Sequence, residues 1–173
     1  KPGYVSTQAI TSFKLEHESQ KLDRVTLTKT MLPLGTTQPF DTATTGTIVE
    51  EGVKVTFPAG SLNTTGTVDV TVSPIDVSTN ELNAFPGEFE GDAQNGREVL
   101  IEAHSLMNVS ITQDGQPVNL KPGSRATLEL LLPADSKSTP GDIVPLWFYS
   151  ETNGRWVEEG TGVVGISTFD PTR

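Results

Sequence analysis

Residues 144–160, VPLWFYSETNGRWVEEG, carry the clearest structural signal in this 173-residue chain. Apolar and aromatic residues alternate on both sides of Asn153-Gly154, a dipeptide that accepts the positive φ angles of a tight turn. The stretch therefore predicts a β-hairpin with Asn153-Gly154 at its tip. Asp114-Gly115 has the same chemistry between two alternating runs and predicts a second hairpin.

Alternation with a period of two recurs along most of the chain, whereas no long helical pattern occurs. Strands are predicted at 12–15, 24–30, 47–49, 53–57, 68–73, 106–112, 126–132, 144–149, 155–158 and 162–166. The prolines fall mostly at the ends of these runs, where a missing N–H removes no ladder hydrogen bond. About ten short strands favour an all-β fold, an antiparallel β-sandwich with Greek-key-like connections.

Composition and charge exclude several classes of protein. The chain has no cysteine, which removes disulfides and thiolate metal sites. Its formal net charge of −10 opposes binding to nucleic acid and to anionic membranes. The longest apolar runs are far shorter than the roughly 18 residues that a membrane span requires, so no span is expected.

Two aperiodic segments interrupt the alternation. Residues 31–46 are rich in threonine and are predicted to form a linker that leads into a sandwich at 47–173. Residues 75–96 are predicted to form a long loop between sheets, with a short helical turn capped by Ser78 or Thr79.

Three stretches together carry a family resemblance: VKVTFPAGSL at 53–62, VSITQDGQPVNLKPGSRATLELLL at 109–132, and the hairpin stretch at 144–160. In this order and spacing they resemble the β-sandwich module shared by zonula occludens proteins, netrin receptors and ankyrins, and most of all its bacterial cell-surface relatives. The resemblance implies an extracellular or cell-surface setting. It predicts the fold of this chain more strongly than its function.

Residues 1–30 carry a second resemblance. They look like the closing strands of a carboxypeptidase-regulatory-like Ig-type domain, in which a Gly-Tyr pair precedes an acidic turn and an alternating strand. This resemblance implies that the chain is a piece of a larger exported protein with neighbouring domains. Alternatively, residues 1–30 are an extension that docks on the sandwich.

The aromatic residues of the hairpin are candidates for ligand binding. Trp147, Tyr149 and Trp156 could form a flat platform that stacks on sugar rings. Because alternate residues of a strand share a face, Trp147 and Tyr149 lie opposite Leu146 and Phe148. One pair is then part of a core and the other is at least partly exposed, and burial of the platform is the competing interpretation.

Acidic residues in the long loop are candidates for a metal site. Glu88, Glu90 and Asp92 offer the oxygen ligands that calcium prefers, although their spacing is not that of an EF-hand. The competing interpretation is a solvated acidic face without metal. No cofactor is expected, and calcium is the open alternative.

No constellation of residues predicts catalysis. His104-Ser105 is similar to the cleavage triplet of self-cleaving domains but lacks the intervening phenylalanine. The acid pairs Glu50-Glu51 and Glu158-Glu159 are more typical of strand ends than of a glycosidase.

The sequence therefore predicts a non-catalytic, extracellular or cell-surface module that supports structure and binds a protein or a cell-surface polymer. A carbohydrate-binding module and a self-cleaving domain are the alternatives.

Overall fold

A computed structural model describes residues 3–5, 30–84, 86 and 89–170 of the chain. These residues form eleven β-strands and one short 3-10 helix, Asn80–Ala84. The strands are β1 (Thr37–Asp41), β2 (Gly46–Glu50), β3 (Val53–Phe57), β4 (Thr67–Ile75), β5 (Glu90–Asp92), β6 (Glu98–Leu100), β7 (Leu106–Gln113), β8 (Gln116–Pro117), β9 (Thr127–Leu130), β10 (Ile143–Ser150) and β11 (Arg155–Val163). The protein is all-β, as the alternation predicts. In the part of the chain that the structure describes, no helix has the length and apolarity to cross a bilayer.

Two sheets enclose the hydrophobic core. The first sheet has the order β1-β4-β7-β8 and the second has the order β2-β3-β9, and all their pairings are antiparallel. Alternation in β3 turns Val53, Val55 and Phe57 inward, where they meet Val68 and Val70 of β4. This packing of two inner faces is the sandwich predicted from the sequence.

The chain crosses between the two sheets several times. β1 lies in the first sheet, the β2–β3 hairpin lies in the second, and β4 returns to pair with β1. β7 and β8 then extend the first sheet before β9 pairs with β3 in the second. These crossings agree with the Greek-key-like connections expected from the sequence.

A third sheet of four strands, with the order β10-β11-β5-β6, stands beside the sandwich. Its β10–β11 pair is the predicted hairpin, and the pairing of β11 with β5 is parallel. The two halves of the sheet come from distant parts of the chain, because β5 and β6 lie within and just after the predicted loop at 75–96. That loop also contains the expected helical turn, where Thr79 Oγ1 accepts a hydrogen bond from the Glu81 N–H at 3.2 Å.

The structure corrects several predicted boundaries. The predicted linker at 31–46 contains β1, whose Phe40 is buried and stacks with Phe57 at a ring-centroid distance of 5.7 Å, so the sandwich begins before residue 47. The strands predicted at 155–158 and 162–166 are replaced by the single strand β11, which ends at Val163. The predicted strand at 12–15 lies outside the described residues, as does the one at 24–30 except for Thr30, which is not in a strand.

Both predicted hairpin tips are confirmed, with one difference. Asp114 and Gly115 have φ angles of 51° and 75°, as a two-residue turn of the I′ type requires. The β10–β11 turn instead uses four residues, 151–154, and only Gly154 has a positive φ, at 66°. A longer loop needs one left-handed residue rather than two, which explains the difference.

The described part of residues 1–30 is attached to the rest of the chain at Tyr4 and Val5. Tyr4 forms an antiparallel bridge with Pro33, and the Val5 N–H donates to the Leu32 carbonyl at 2.8 Å. Val5 and Leu32 are buried in a small cluster with Ala84 of the 3-10 helix. Whether residues 1–30 complete an Ig-type domain or dock as an extension stays a prediction.

A carboxylate holds the segment that follows β11 against the second sheet. Glu129 of β9 accepts hydrogen bonds from the Thr168 N–H at 2.6 Å, the Thr168 hydroxyl at 2.7 Å and the Ser167 hydroxyl at 3.1 Å. Lys54 Nζ lies 3.5 Å from the same carboxylate. Desolvation raises the pKa of Glu129, but the hydrogen bonds and the Lys54 charge outweigh it, so the pKa is lower than its ordinary value of 4.5.

We expect Glu129→Gln to lower Tm at pH 7 by about 2–4 °C, because an amide cannot accept all of these hydrogen bonds. A lowered folded pKa stabilises the fold above the unfolded value, and the stabilisation is lost as the pH falls through the folded pKa. The difference in Tm between wild type and variant should therefore shrink below about pH 4.5. Thermal melts from pH 3 to 7, with the exposed Glu102→Gln as control, measure it, and a constant difference across this range would contradict the assignment.

Candidate functional site

The third sheet has two unlike faces, which the strand register defines. Tyr149 lies opposite Trp156, and Trp156 lies beside Gly91 of β5, so these residues share one face with Trp147. We call it the covered face. The opposite face, the open face, carries the apolar side chains of Leu100, Val144, Leu146, Phe148 and Val157.

The covered face brings together the three aromatic residues predicted to bind a ligand. The Tyr149 and Trp156 ring centroids are 5.4 Å apart at an interplanar angle of 58°. Trp156 is only 8% exposed, and its Nε1–H donates to the Pro86 carbonyl at 2.9 Å. The three aromatic residues therefore share one face, but Trp156 is buried beneath the chain at Pro86 and offers no ring face for stacking.

Close packing on the covered face depends on Gly91. A Cβ atom at this position would lie 2.7 Å from Trp147 Cζ3 and 2.8 Å from Ile101 Cδ1. Only glycine allows Trp147 to approach β5 this closely. Desolvation, followed by the Glu151 charge, raises the pKa of Tyr149 above its ordinary value, which agrees with the enclosure of this face.

The open face exposes large apolar side chains on both of its edge strands. On β10, Leu146 is 38% exposed and Phe148 is 43% exposed, and on β6 Leu100 is 83% exposed. Val157 is half-buried between β10 and β5. Gly162 has no side chain, and Leu146 and Val144 lie against it, since an added Cβ would meet Leu146 Cδ2 and Val144 Cγ2 at 3.4 Å. The result is an apolar surface over β10 and β11.

Charged residues border this surface on the side of β5 and β6. Arg155 of β11 lies with Nε 3.2 Å from Asp92 Oδ1 and Nη2 2.9 Å from Glu98 Oε1. Both nitrogens are buried, and the contacts are ionic rather than directional hydrogen bonds. Glu90, which precedes Asp92 by two residues, is exposed on the same face. The ion pairs tie three strands of the sheet together.

The predicted metal ligands do not form a cluster among the described residues. Glu90 and Asp92 lie at the two ends of β5, and Asp92 is paired with Arg155. Glu88 lies outside the described residues. Within the described ranges, no group of three or more His, Asp or Glu side chains is placed to hold a metal ion. Calcium binding stays a prediction.

The residues considered for catalysis are dispersed. His104 and Ser105 are half-buried in the connection between β6 and β7, and His104 borders a shallow hollow with Glu102 and Lys137. Self-cleavage stays a prediction.

The two acid pairs lie in different parts of the molecule. Glu50 and Glu51 are at the β2–β3 turn, beside a hollow lined by Leu131 and Phe169. Glu158 and Glu159 lie within β11, where Glu158 accepts a hydrogen bond from the Gln94 N–H at 3.0 Å and Glu159 occupies a β-bulge. The described contacts bring neither pair to the other.

Sequence reasoning missed the open face as a candidate site. Alternation separates Leu146 and Phe148 from Trp147 and Tyr149, as predicted, but both pairs are apolar and the pattern does not tell which is covered. Gly91, whose missing side chain lets Trp147 approach β5, lies in the aperiodic segment 75–96, so no local pattern indicates the covered face. No family model, curated protein or solved structure matches the chain.

Proposed function

We propose that this protein is a non-catalytic structural and interaction module, extracellular or at a cell surface, that binds a protein partner through the open face of its third sheet. The observation that carries the proposal is the exposure of Leu146 and Phe148 on β10, with Val144 and Val157 beside them on the same sheet face. Contiguous exposed apolar surface on a folded protein is typical of interaction sites.

The rigidity of the third sheet supports this role. The β10–β11 ladder runs the length of both strands, and Arg155 connects β11 to Asp92 and Glu98. The covered face is fixed by aromatic packing and by the hydrogen bond from Trp156 to Pro86. A surface held in one conformation loses little conformational entropy when a partner binds.

A protein partner is favoured over a carbohydrate because of where the aromatic rings lie. Sugar stacking requires accessible ring faces, whereas Trp156 is buried and Tyr149 packs against it. The aliphatic side chains of the open face suit a polypeptide better than a glycan. The extracellular setting rests on the resemblance to bacterial cell-surface modules.

Photo-crosslinking tests the proposal. With p-benzoylphenylalanine in place of Phe148, in the cells that produce the protein, we expect a discrete covalent adduct with one partner after illumination. The aromatic replacement keeps the size and apolar character of Phe148, so the fold should be retained.

The matched control places the same residue at Val49 of β2, which is 47% exposed and belongs to the second sheet. We expect no discrete adduct from this position. Equal labelling from both positions, or none from position 148, would remove the open face as the interaction surface.

A further inference from the structure

The open face divides into an apolar half and an acidic half. Val144, Leu146 and Phe148 lie on β10 and Val157 lies on β11, whereas the carboxylates lie on β5 and β6 together with the exposed Leu100. Adjacent strands are about 4.8 Å apart, so the acidic half is centred roughly 10 Å from the apolar half. Any partner that covers both halves must match this division.

The acidic half carries excess negative charge. Glu90, Asp92 and Glu98 contribute three carboxylates to this face, and Arg155 contributes the single cation among the described residues of these strands that lies on it. Arg155 is already engaged by Asp92 and Glu98. Glu90 is exposed, and the Glu98 side chain is 73% exposed despite its ion pair. Negative charge is therefore available to a positively charged partner.

Charge argues against a second copy of this chain as the occupant. The protein has a formal net charge of −10, so two copies repel each other, and a twofold contact between open faces would bring two acidic borders together. Electrostatic complementarity instead favours a basic partner.

Dimensions and chemistry together point to an α-helix. A helix with side chains is about 10–12 Å wide, which spans from the apolar half to the acidic half. Its apolar stripe would lie on Leu146 and Phe148. Lysine or arginine on one flank would reach Glu90 and Glu98. Helix-on-sheet packing is a standard layer arrangement.

We propose that the open face binds a basic amphipathic α-helix, with its apolar stripe on β10 and β11 and its cationic flank on Glu90 and Glu98. The inference rests on the proposed function, because it specifies the partner of the same surface.

Peptide binding tests the inference with defined probes. The first probe is a labelled 18-residue helical peptide with leucine at a helical spacing and lysine along one flank. The second replaces each lysine by glutamate, and the third replaces each leucine by glutamine but keeps the lysines. Fluorescence anisotropy should detect binding of the first probe only, with affinity that falls when salt is raised from about 50 to 300 mM.

Variants locate the binding. Phe148→Ser should weaken binding of the first probe about tenfold, and Glu90→Gln should weaken it about two- to threefold and reduce the salt dependence. Two controls change exposed residues outside the third sheet. Val49→Ser replaces an apolar residue of β2, and Glu51→Gln removes a carboxylate charge in the β2–β3 turn. Both should leave the affinity within twofold. Thermal melts confirm that each variant is folded.

The outcomes separate the two proposals. Equal binding of the lysine and glutamate peptides, or equal loss with Phe148→Ser and Val49→Ser, would overturn the basic helix. A Phe148-dependent dimer in sedimentation would also overturn it, because a second copy would then be the occupant. If cross-linking at position 148 succeeds while the lysine peptide fails to bind, the interaction surface stands and only the partner's chemistry is wrong.

Discussion

Replacing Leu62 by alanine is expected to lower the free energy of unfolding by about 3 kcal/mol. Leu62 is fully buried at 0% exposure, lies in the core cluster with Phe57 and Val118, and bridges to Leu120. Removing its branched end leaves a cavity between two sheets whose strands cannot easily close around it. Equilibrium denaturation followed by far-UV circular dichroism measures the loss, which corresponds to a Tm lower by about 6–12 °C.

Leu100→Ala is the matched control, because Leu100 is the same residue type in a strand but is 83% exposed. Its effect should be below about 0.5 kcal/mol. A similar loss for both variants would contradict the position of the core between the first two sheets.

The sandwich could be predicted because its strands have strong local patterns. β3 matches the predicted strand 53–57 residue for residue, since alternation and β-branched residues both mark it. Asp114-Gly115 forms the predicted turn because its φ requirement is satisfied locally. Such features depend on neighbouring residues and are therefore visible in the sequence.

Other strands exist only because of contacts with distant parts of the chain. β1 has Phe40 as its one buried residue, and its pairing with β4 rather than its own pattern makes it a strand. β5 and β6 are three residues each, and β5 is held by a parallel pairing with β11. No local pattern in residues 75–100 indicates that partner.

The candidate site was only half predictable for the same reason. The sequence places Trp147 and Tyr149 on one face and Leu146 and Phe148 on the other, and the structure confirms this division. Which face is covered depends on Pro86, in the aperiodic segment 75–96, and on Ile101, which directly follows β6. The ion pairs of Arg155 likewise join residues more than fifty positions apart.

Gly91→Ala is expected to damage the third sheet while leaving the sandwich core intact. The added methyl group would lie 2.7 Å from Trp147 Cζ3 and 2.8 Å from Ile101 Cδ1, so the tryptophan ring or β5 must move. Overpacking of this kind costs about 1–3 kcal/mol. The displacement of β5 would also carry Glu90 and Asp92 away from the open face, so binding of the lysine peptide should weaken as well.

Tryptophan fluorescence can report this damage selectively, because the chain has two tryptophans and both Trp147 and Trp156 lie on the covered face. In Gly91→Ala, the fluorescence transition should occur at lower denaturant than in wild type, and by more than the far-UV transition shifts. Gly160→Ala is the matched control, since Gly160 lies in β11 and an added Cβ would meet nothing within 4 Å. If both glycine variants shift the fluorescence transition equally, Gly91 is not the contact that closes the covered face. If instead the two signals of Gly91→Ala move together, the third sheet and the sandwich unfold as one cooperative unit, and the rigidity of the open face then derives from the whole molecule.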